Sequence, residues 1–339
     1  MRVALALGLG AAGGAVFDAL RMPLAWMIGA MLITTAASMA GARLWVPPRM
    51  RGVMIAVLGI MLGSSFTPEA VDRAFQWTGS LASLLLFVAV VIATLGLFLR
   101  YRAGFGPANA FFSSAPGGFS AMVLMGGAMG GDERTIALMH SVRMMLAVLI
   151  IPFWFRLFHG YQPGGTAAMG QIADIAATDA AILTLCAVVG CWVAIKMRLP
   201  VATLIGPMIL SAAAHLSGLT SARPPGEIVA VAQVVIGAFI GCRFVGVPVK
   251  RVVGTMWLSG ATTAMMMAIT LTFALLLERL LGLPFQALLL AFAPGGLAEM
   301  SLVSLAMGID TAFVATHHLV RIIIVVMLAP IAFRLLSRS

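Results

Sequence analysis

Apolar positions in this chain neither alternate nor form narrow helical stripes. They fill long runs, separated by short polar interruptions, from one end to the other. The clearest runs cover 24–41, 78–99, 135–158, 179–196, 201–219, 226–242, 252–277 and 313–336. Each is close to the roughly 20 residues that a helix needs to cross the hydrocarbon core of a bilayer. A transmembrane barrel would instead read as segments of about ten residues with alternating polarity, and these are missing. The pattern predicts an all-α polytopic membrane protein.

Composition sharpens that expectation. Hydrophobic residues make up 62% of the 339 and charged residues only 9%, against about a quarter charged in soluble domains. The 21 Lys+Arg exceed the 11 Asp+Glu, giving +10. In a membrane protein such an excess reads as cytoplasmic anchoring of loops, so the expected partner is the lipid bilayer and no direct nucleic-acid contact is expected. The expected location is the bacterial inner membrane. The longest connector, 159–178, contains His159 and is too short for a soluble domain. Cys186, Cys191 and Cys242 lie in apolar runs without metal or redox spacing. The 24 Met are scattered, which suits adaptable packing better than a copper path. No metal and no cofactor is expected, and the chain reads as a non-enzyme.

The apolar pattern also repeats. At an offset of 177, "RMPLAWMIGAM" (21–31) falls on "RLPVATLIGPM" (198–208), and Pro47-Pro48 on Pro224-Pro225. At an offset of 178, Gly59 and Gly63 fall on Gly237 and Gly241, Ala115–Gly118 on Ala293–Gly296, Asp132 on Asp310, His140 on His318 and Arg143 on Arg321. The predicted organisation is an N-terminal membrane repeat over 1–158, a connector over 159–178 and a C-terminal membrane repeat over 179–339. The opening run has the basic start of a signal peptide, but it belongs to the repeated unit and is expected to be a retained helix.

Each repeat has six apolar segments, and one holds an Ala-Pro-Gly-Gly. Proline removes a backbone donor, and each glycine adds about 1 kcal/mol of helix penalty, so this segment should be broken. If it crossed the membrane, Lys and Arg outside positions 143 and 321 would divide eleven to eight between the two sides; if it enters and returns, they divide fourteen to five. The second division obeys the positive-inside rule better. The expectation is therefore two inverted repeats, about ten transmembrane helices plus two broken or re-entrant segments, and both termini in the cytoplasm.

Paired interruptions in inverted halves point to a transporter's binding site. The first would offer Ser114, Pro116, Gly117, Gly118 and Ser120, the second Pro294, Gly295 and Gly296, with Ser113 and Ser301 as further hydroxyls. Helices starting near Phe119 and Leu297 would aim free N–H groups at a solute. Glu299 has Ala121 as its counterpart, so the acid belongs to one repeat only. In this setting a carboxylate reads as a proton site, cation ligand or ion-pair partner. In "MHSVRMM" (139–145) and "THHLVRII" (316–323), His140 with Arg143 and His318 with Arg321 share a helix face. The arginines could hold an anion or cap carbonyls of the broken segments. Both histidines could carry protons, whereas His317 and His215 read as surface or packing residues.

On these motifs the chain resembles the bacterial AbrB-duplication membrane family, whose halves each carry an Ala-Pro-Gly-Gly type motif. The resemblance covers essentially the whole chain and implies a duplicated membrane fold, distinct from the soluble DNA-binding regulators of the same name. Members carry labels such as regulator of aidB expression or ammonia monooxygenase. A transcription factor needs a groove-reading element, and no loop here is long enough; a monooxygenase needs a metal or cofactor site, and the five His form no ligand set. The expected function is a secondary transporter or permease for a small anionic solute, with proton or ion coupling and room for homo-oligomerisation. The alternatives are a membrane sensor acting indirectly on gene expression and, more remotely, a membrane oxidoreductase.

Overall fold

A computed structural model describes residues 1–158, 160 and 171–336; His159 and most of the expected connector lie outside the described residues. Among these residues the chain is helical throughout, with no strand. The first half contains α1 (Arg2–Ala19), α2 (Ala25–Met39), α3 (Pro48–Gly63), α4 (Pro68–Arg73), α5 (Thr78–Tyr101), α6 (Pro107–Ser114), α7 (Phe119–Ala128) and α8 (Glu133–Phe158). The second contains α9 (Ala177–Lys196), α10 (Ala202–Leu216), α11 (Gly226–Gly241), α12 (Val249–Leu281), α13 (Phe285–Phe292), α14 (Leu297–Ala306) and α15 (Thr311–Leu336). Seven helical stretches among the described residues are long and apolar enough to cross a membrane.

Two of the expected runs shorten. In place of 24–41 and 201–219, α2 and α10 have 15 residues each. Leu24 and Val201, which cap them, sit at φ 45° and 50°, and Arg21 and Arg198 are also left-handed. An L-residue held there costs on the order of 1–3 kcal/mol, most for a β-branched one, and the chain cannot enter the helix earlier. This turn removes one residue from each run; the rest is lost at the other ends, where Gly41 and Gly218 have positive φ, and hydropathy sees neither feature.

The chain forms two compact units, and each draws segments from both halves of the sequence. The first comprises Met1–Arg73, Leu149–Pro248 and Ser301–Ala312. Its helices pack in the order α1, α2, α11, α3, α10, α9. At the α1–α2 crossing a Cβ on Gly13 would fall 2.7 Å from Ile33 Cγ1, and at α9–α10 a Cβ on Gly190 would fall 2.6 Å from the Gly206 carbonyl carbon. Glycine is what lets these backbones touch. Arg73 pairs with Asp310 at 3.5 Å.

The second unit comprises Ala74–Val148, Val249–Met300 and Phe313–Ser339. Here α5 packs on α6 and on α12, and α12 packs on α13. Phe87 of α5 meets Phe273 of α12 and Phe292 of α13 edge-on, at centroid distances of 5.3 and 5.1 Å. These rings fix the arm α13 against two long helices, and that arm carries part of the polar cluster described next.

Candidate functional site

The polar cluster lies in the second unit. There α6 ends at Ser114, Ala115–Gly118 form an extended turn, and α7 starts at Phe119. The short arms span about 12 and 15 Å at helical rise. They fold back on one another: the Asp132 N–H donates to Asn109 Oδ1 at 2.7 Å, which pins the far end of α7 to the near end of α6. A Cβ on Gly126 would lie 3.2 Å from Phe112 Cβ, so the arms also touch along their length. Pro116 supplies the break, and Gly117 lets the turn close on its surroundings. A Cβ there would meet Val325 Cγ1 of α15 at 2.7 Å and Met122 Sδ at 2.9 Å. At Gly295 in the other turn, a Cβ would meet Met300 Cγ at 2.6 Å.

A helix ending inside an apolar interior leaves carbonyls that water would otherwise satisfy. Two arginines take them. Arg143 donates from Nη1 to Ser113 O and Ser114 O (3.2 and 3.4 Å) and from Nη2 to Ala115 O (3.1 Å). Arg321 donates from Nη1 to Phe292 O and Ala293 O (3.4 and 2.9 Å) and from Nη2 to Gly295 O (3.1 Å). A planar guanidinium can reach several carbonyls at once, and a cation suits the negative end of a helix dipole. Both side chains are buried, and neither meets a carboxylate among the described residues.

The histidines hold the arginines in place. His140 Nε2 lies 2.8 Å from Phe112 O and His318 Nε2 lies 2.9 Å from Leu290 O, while each Nδ1 faces its arginine's Nη2 at 2.7 and 2.9 Å. A carbonyl only accepts and a guanidinium only donates, so in each ring Nε2 carries the hydrogen and Nδ1 offers its lone pair. Both imidazoles are neutral in this arrangement and have no free nitrogen. The proton-carrying role expected for His140 and His318 finds no vacant lone pair, whereas the carbonyl-capping use of Arg143 and Arg321 is what the geometry presents.

What remains uncommitted is more telling. Among the described residues, Arg321 Nε, Ser113 Oγ and Thr263 Oγ1 are buried without a hydrogen-bond partner. Thr263 shares a face of α12 with Ser259, which donates to Met139 O at 3.1 Å, and with Thr270, which donates to Phe292 O at 3.2 Å. Glu299, in the first turn of α14, is 3% exposed and has no hydrogen-bond or ion-pair partner among the described residues. Its Oε2 lies over the Cα of Gly296, where a Cβ would collide with it and would also meet Met144 Cε of α8 at 3.1 Å. At Gly118, the matching position of the first turn, the nearest atom to a Cβ is Ile322 Cγ2 at 3.7 Å.

The other expected residues divide. Pro116 and Pro294 are buried, and Gly117, Gly118, Gly295 and Gly296 are half-buried. Ser114 is committed to Phe111 O of its own helix at 2.8 Å, and Ser120 is exposed. Ser301 Oγ is buried without a partner among the described residues but belongs to the first unit. His317, expected at the surface or in packing, is fully buried, with Nδ1 on Phe313 O and Nε2 on Ser80 Oγ, both at 2.8 Å. His215 is half-buried and bonded to Ser211 O and Ala222 O. Among the described residues no three His, Cys, Asp or Glu side chains converge as a metal site would require. A groove of about 590 Å³ between α5, α6 and α15, lined by residues such as Val88, Ile92, Phe111 and Leu328, is apolar apart from Arg100 and Tyr101 at one end. It recruits none of the uncommitted donors.

Comparison with known proteins agrees with these motifs. The chain is 28% identical to "Uncharacterized protein YhjN" of Bacillus subtilis (strain 168), over 97% of this chain and 92% of that one. It is 26% identical to "Putative regulator AbrB" of Escherichia coli (strain K12), over 95% of this chain and 92% of that one. The model of the AbrB family, described as transition state regulatory protein AbrB, matches residues 3–337. A match over nearly the whole length, covering both broken segments and both His-Arg pairs, means that the chain belongs to the AbrB family.

Proposed function

We propose that this protein is an integral membrane transporter or permease for a small anionic solute, bound between the two broken segments of the second unit. The observation that carries the reading is the surplus of buried donors: among the described residues Arg321 Nε, Ser113 Oγ and Thr263 Oγ1 have no partner, and neither buried guanidinium pairs with a carboxylate. Buried donors are costly unless something accepts from them, and an anion supplies both acceptors and charge. Breaks in apolar helices that line a polar interior are what transport sites are made of. With no nucleotide-binding motif in the sequence, uphill movement would draw on an ion gradient, with Glu299 as the coupling group. We infer no enzymatic activity and no direct nucleic-acid contact.

The same reading takes the halves as inverted repeats in the inner membrane, with both termini cytoplasmic. The fold-back of α7 on α6 supports a re-entrant first segment, and the helix order α1, α2, α11, α3, α10, α9 matches a two-fold relation of α1, α2 and α3 with α9, α10 and α11. Single cysteines near Arg51 and Lys250 should label from the cytoplasmic side; labelling from opposite sides would refute the inversion.

The functional test is a thermal-shift panel on detergent-purified protein with acetate, propionate, malonate, chloride, phosphate and ammonium, followed by flux of any stabilising ion in protein-only liposomes. Ligand binding to the native state raises the melting temperature with concentration. Ser113→Ala and Thr263→Val remove hydroxyls that bond to nothing among the described residues, so each should leave stability within about 0.5 kcal/mol while weakening the anion's effect severalfold. Stabilisation by ammonium alone would overturn the anionic assignment. Binding without flux would favour a sensor, the role that the regulator name of the Escherichia coli relative brings to mind.

A further inference from the structure

The solute site leaves one built feature of the second unit unused, the groove between α5, α6 and α15. Its shape follows from side-chain size. Ala89, Ala93 and Gly96 line it from one face of α5 and are too small to reach across. Opposite them stand Val325 and Ala329 of α15, and Ala110 and Phe111 of α6 form the floor, all four buried. Leu85, Leu97 and Leu328 are exposed along the rim. The two long walls run the same way, because Trp77 packs edge-on against Phe313 at 5.5 Å and Ser80 Oγ lies 2.8 Å from His317 Nε2. Their last turns therefore share one end of the groove, and Arg100 and Tyr101 are there.

Both walls belong to helical stretches long and apolar enough to cross a membrane. The length of the groove thus stands at hydrocarbon depth and its polar end among the headgroups, where Tyr and Arg are at home. From Leu85 to Tyr101 it spans about 24 Å at helical rise, more than the roughly 15 Å of hydrocarbon in one leaflet. Spread over that length, a volume of about 590 Å³ gives a slot of about 25 Å² in section, too narrow for a helix of a second copy about 10 Å across. A single extended hydrocarbon chain has the right form.

The polar end asks for an anion. Arg100 donates one hydrogen bond, from Nη1 to Phe105 O at 3.3 Å, which leaves Nη2 and Nε open. The Tyr101 hydroxyl and the Arg102 guanidinium have no hydrogen-bond or ion-pair partner among the described residues, and all three side chains are exposed. We propose that the groove seats one acyl chain of an anionic phospholipid, with the lipid phosphate on Arg100 and Tyr101. A guanidinium fork matches phosphate oxygens, and basic pockets between transmembrane helices suit such headgroups. Moving an acyl chain from the bilayer into an apolar groove gains little, since lipid tails are as apolar as the walls. Preference must therefore come from the charged end, while the groove fixes where the lipid lies. Val325 joins this seat to the first turn, since its Cγ1 is the atom that a Cβ on Gly117 would meet at 2.7 Å. The proposal needs the membrane setting and neither the solute nor its coupling.

Native mass spectrometry on delipidated protein tests it, with phosphatidylglycerol and phosphatidylcholine of identical oleoyl chains offered in competition and inorganic phosphate as the anion without a tail. Wild type should retain one phosphatidylglycerol per chain, on the order of tenfold in preference to phosphatidylcholine. Arg100→Gln should lower that preference about fivefold. Ala93→Phe, at an exposed position in the middle of the slot, should reduce retention of both lipids severalfold with little change in the lipid-free melting temperature. Ala89→Phe, one turn earlier on the same wall, replaces it if that temperature falls. Equal retention of the two lipids by wild type overturns the proposal, as does displacement of phosphatidylglycerol by inorganic phosphate at similar concentration. Lipid retention that survives both phenylalanine variants also overturns it, and if either variant then splits a dimer, the groove belongs to a second copy.

Discussion

The turns at Ala115–Gly118 and Ala293–Gly296 are built alike and equipped differently. In each, a short helix ends, its carbonyls are taken by an arginine, and a histidine three residues before that arginine locks it with one nitrogen while bonding an arm carbonyl with the other. In each, a glycine packs where the Cβ of any other residue would meet a methionine five positions on. The difference is Glu299 against Ala121, and the unpartnered Nε of Arg321. What recurs is the part that solves a problem of folding, because carbonyls left open in an apolar interior must be satisfied twice if helices break twice. What does not recur has no folding problem to solve. The single acid and the idle donors are therefore the better place to look for chemistry, and the arginines that first drew attention are mostly framework.

The comparison breaks most visibly at the arginines. Arg143→Met strands three carbonyls and Arg321→Met two, since Phe292 O keeps Thr270, and each strands one imidazole lone pair in the interior, at a cost on the order of 3–5 kcal/mol, seen as a large fall in melting temperature or in monodisperse yield. Lysine should not rescue either, since one ammonium cannot span carbonyls arranged for a planar fork. If both variants fail to a similar degree, the shared framework is supported. If Arg143→Met folds normally while Arg321→Met does not, the two turns are not equivalent frames.

The sequence made much of this legible, for identifiable reasons. Long apolar runs, Pro-Gly-Gly breaks and recurring Arg and His are one-dimensional signals, and they located the helices, both turns and the His-Arg pairs. The sharing of a helix face by His140 and Arg143 followed from spacing alone. Which atoms they hold did not, because anion binding and carbonyl capping demand the same side chain and differ only in what lies opposite. Thr263 was hidden for another reason: Ser259, Thr262, Thr263 and Thr270 fall on one helical face, but hydroxyls inside an apolar run barely alter its hydropathy. Asn109 was invisible because its partner, Asp132, is brought to it only by the fold-back of the hairpin. The left-handed residues Leu24 and Val201 are apolar and read as helix in any hydropathy pattern.

The smallest expected effect sharpens the contrast most, because it asks the same substitution of both turns. Neither Gly118 nor Gly296 has a positive φ, so alanine is conformationally allowed at each and only the surroundings decide. At Gly118 the added methyl reaches ordinary contact with Ile322 Cγ2, and Gly118→Ala should leave stability within about 0.5 kcal/mol. At Gly296 it lands on the Glu299 carboxyl and near Met144 Cε. Both obstacles are tips of flexible side chains, so the fold survives, but the carboxyl must leave a buried position at a cost of about 1 kcal/mol. Removing the obstacle should remove most of the penalty: Glu299→Ala combined with Gly296→Ala should be more stable than the sum of the single changes predicts, by at least about 0.5 kcal/mol in a double-mutant cycle of melting data. Additive effects would mean that the carboxyl does not rest in the turn, and the asymmetry between the two sites would then lie in Arg321 and Thr263 rather than in Glu299.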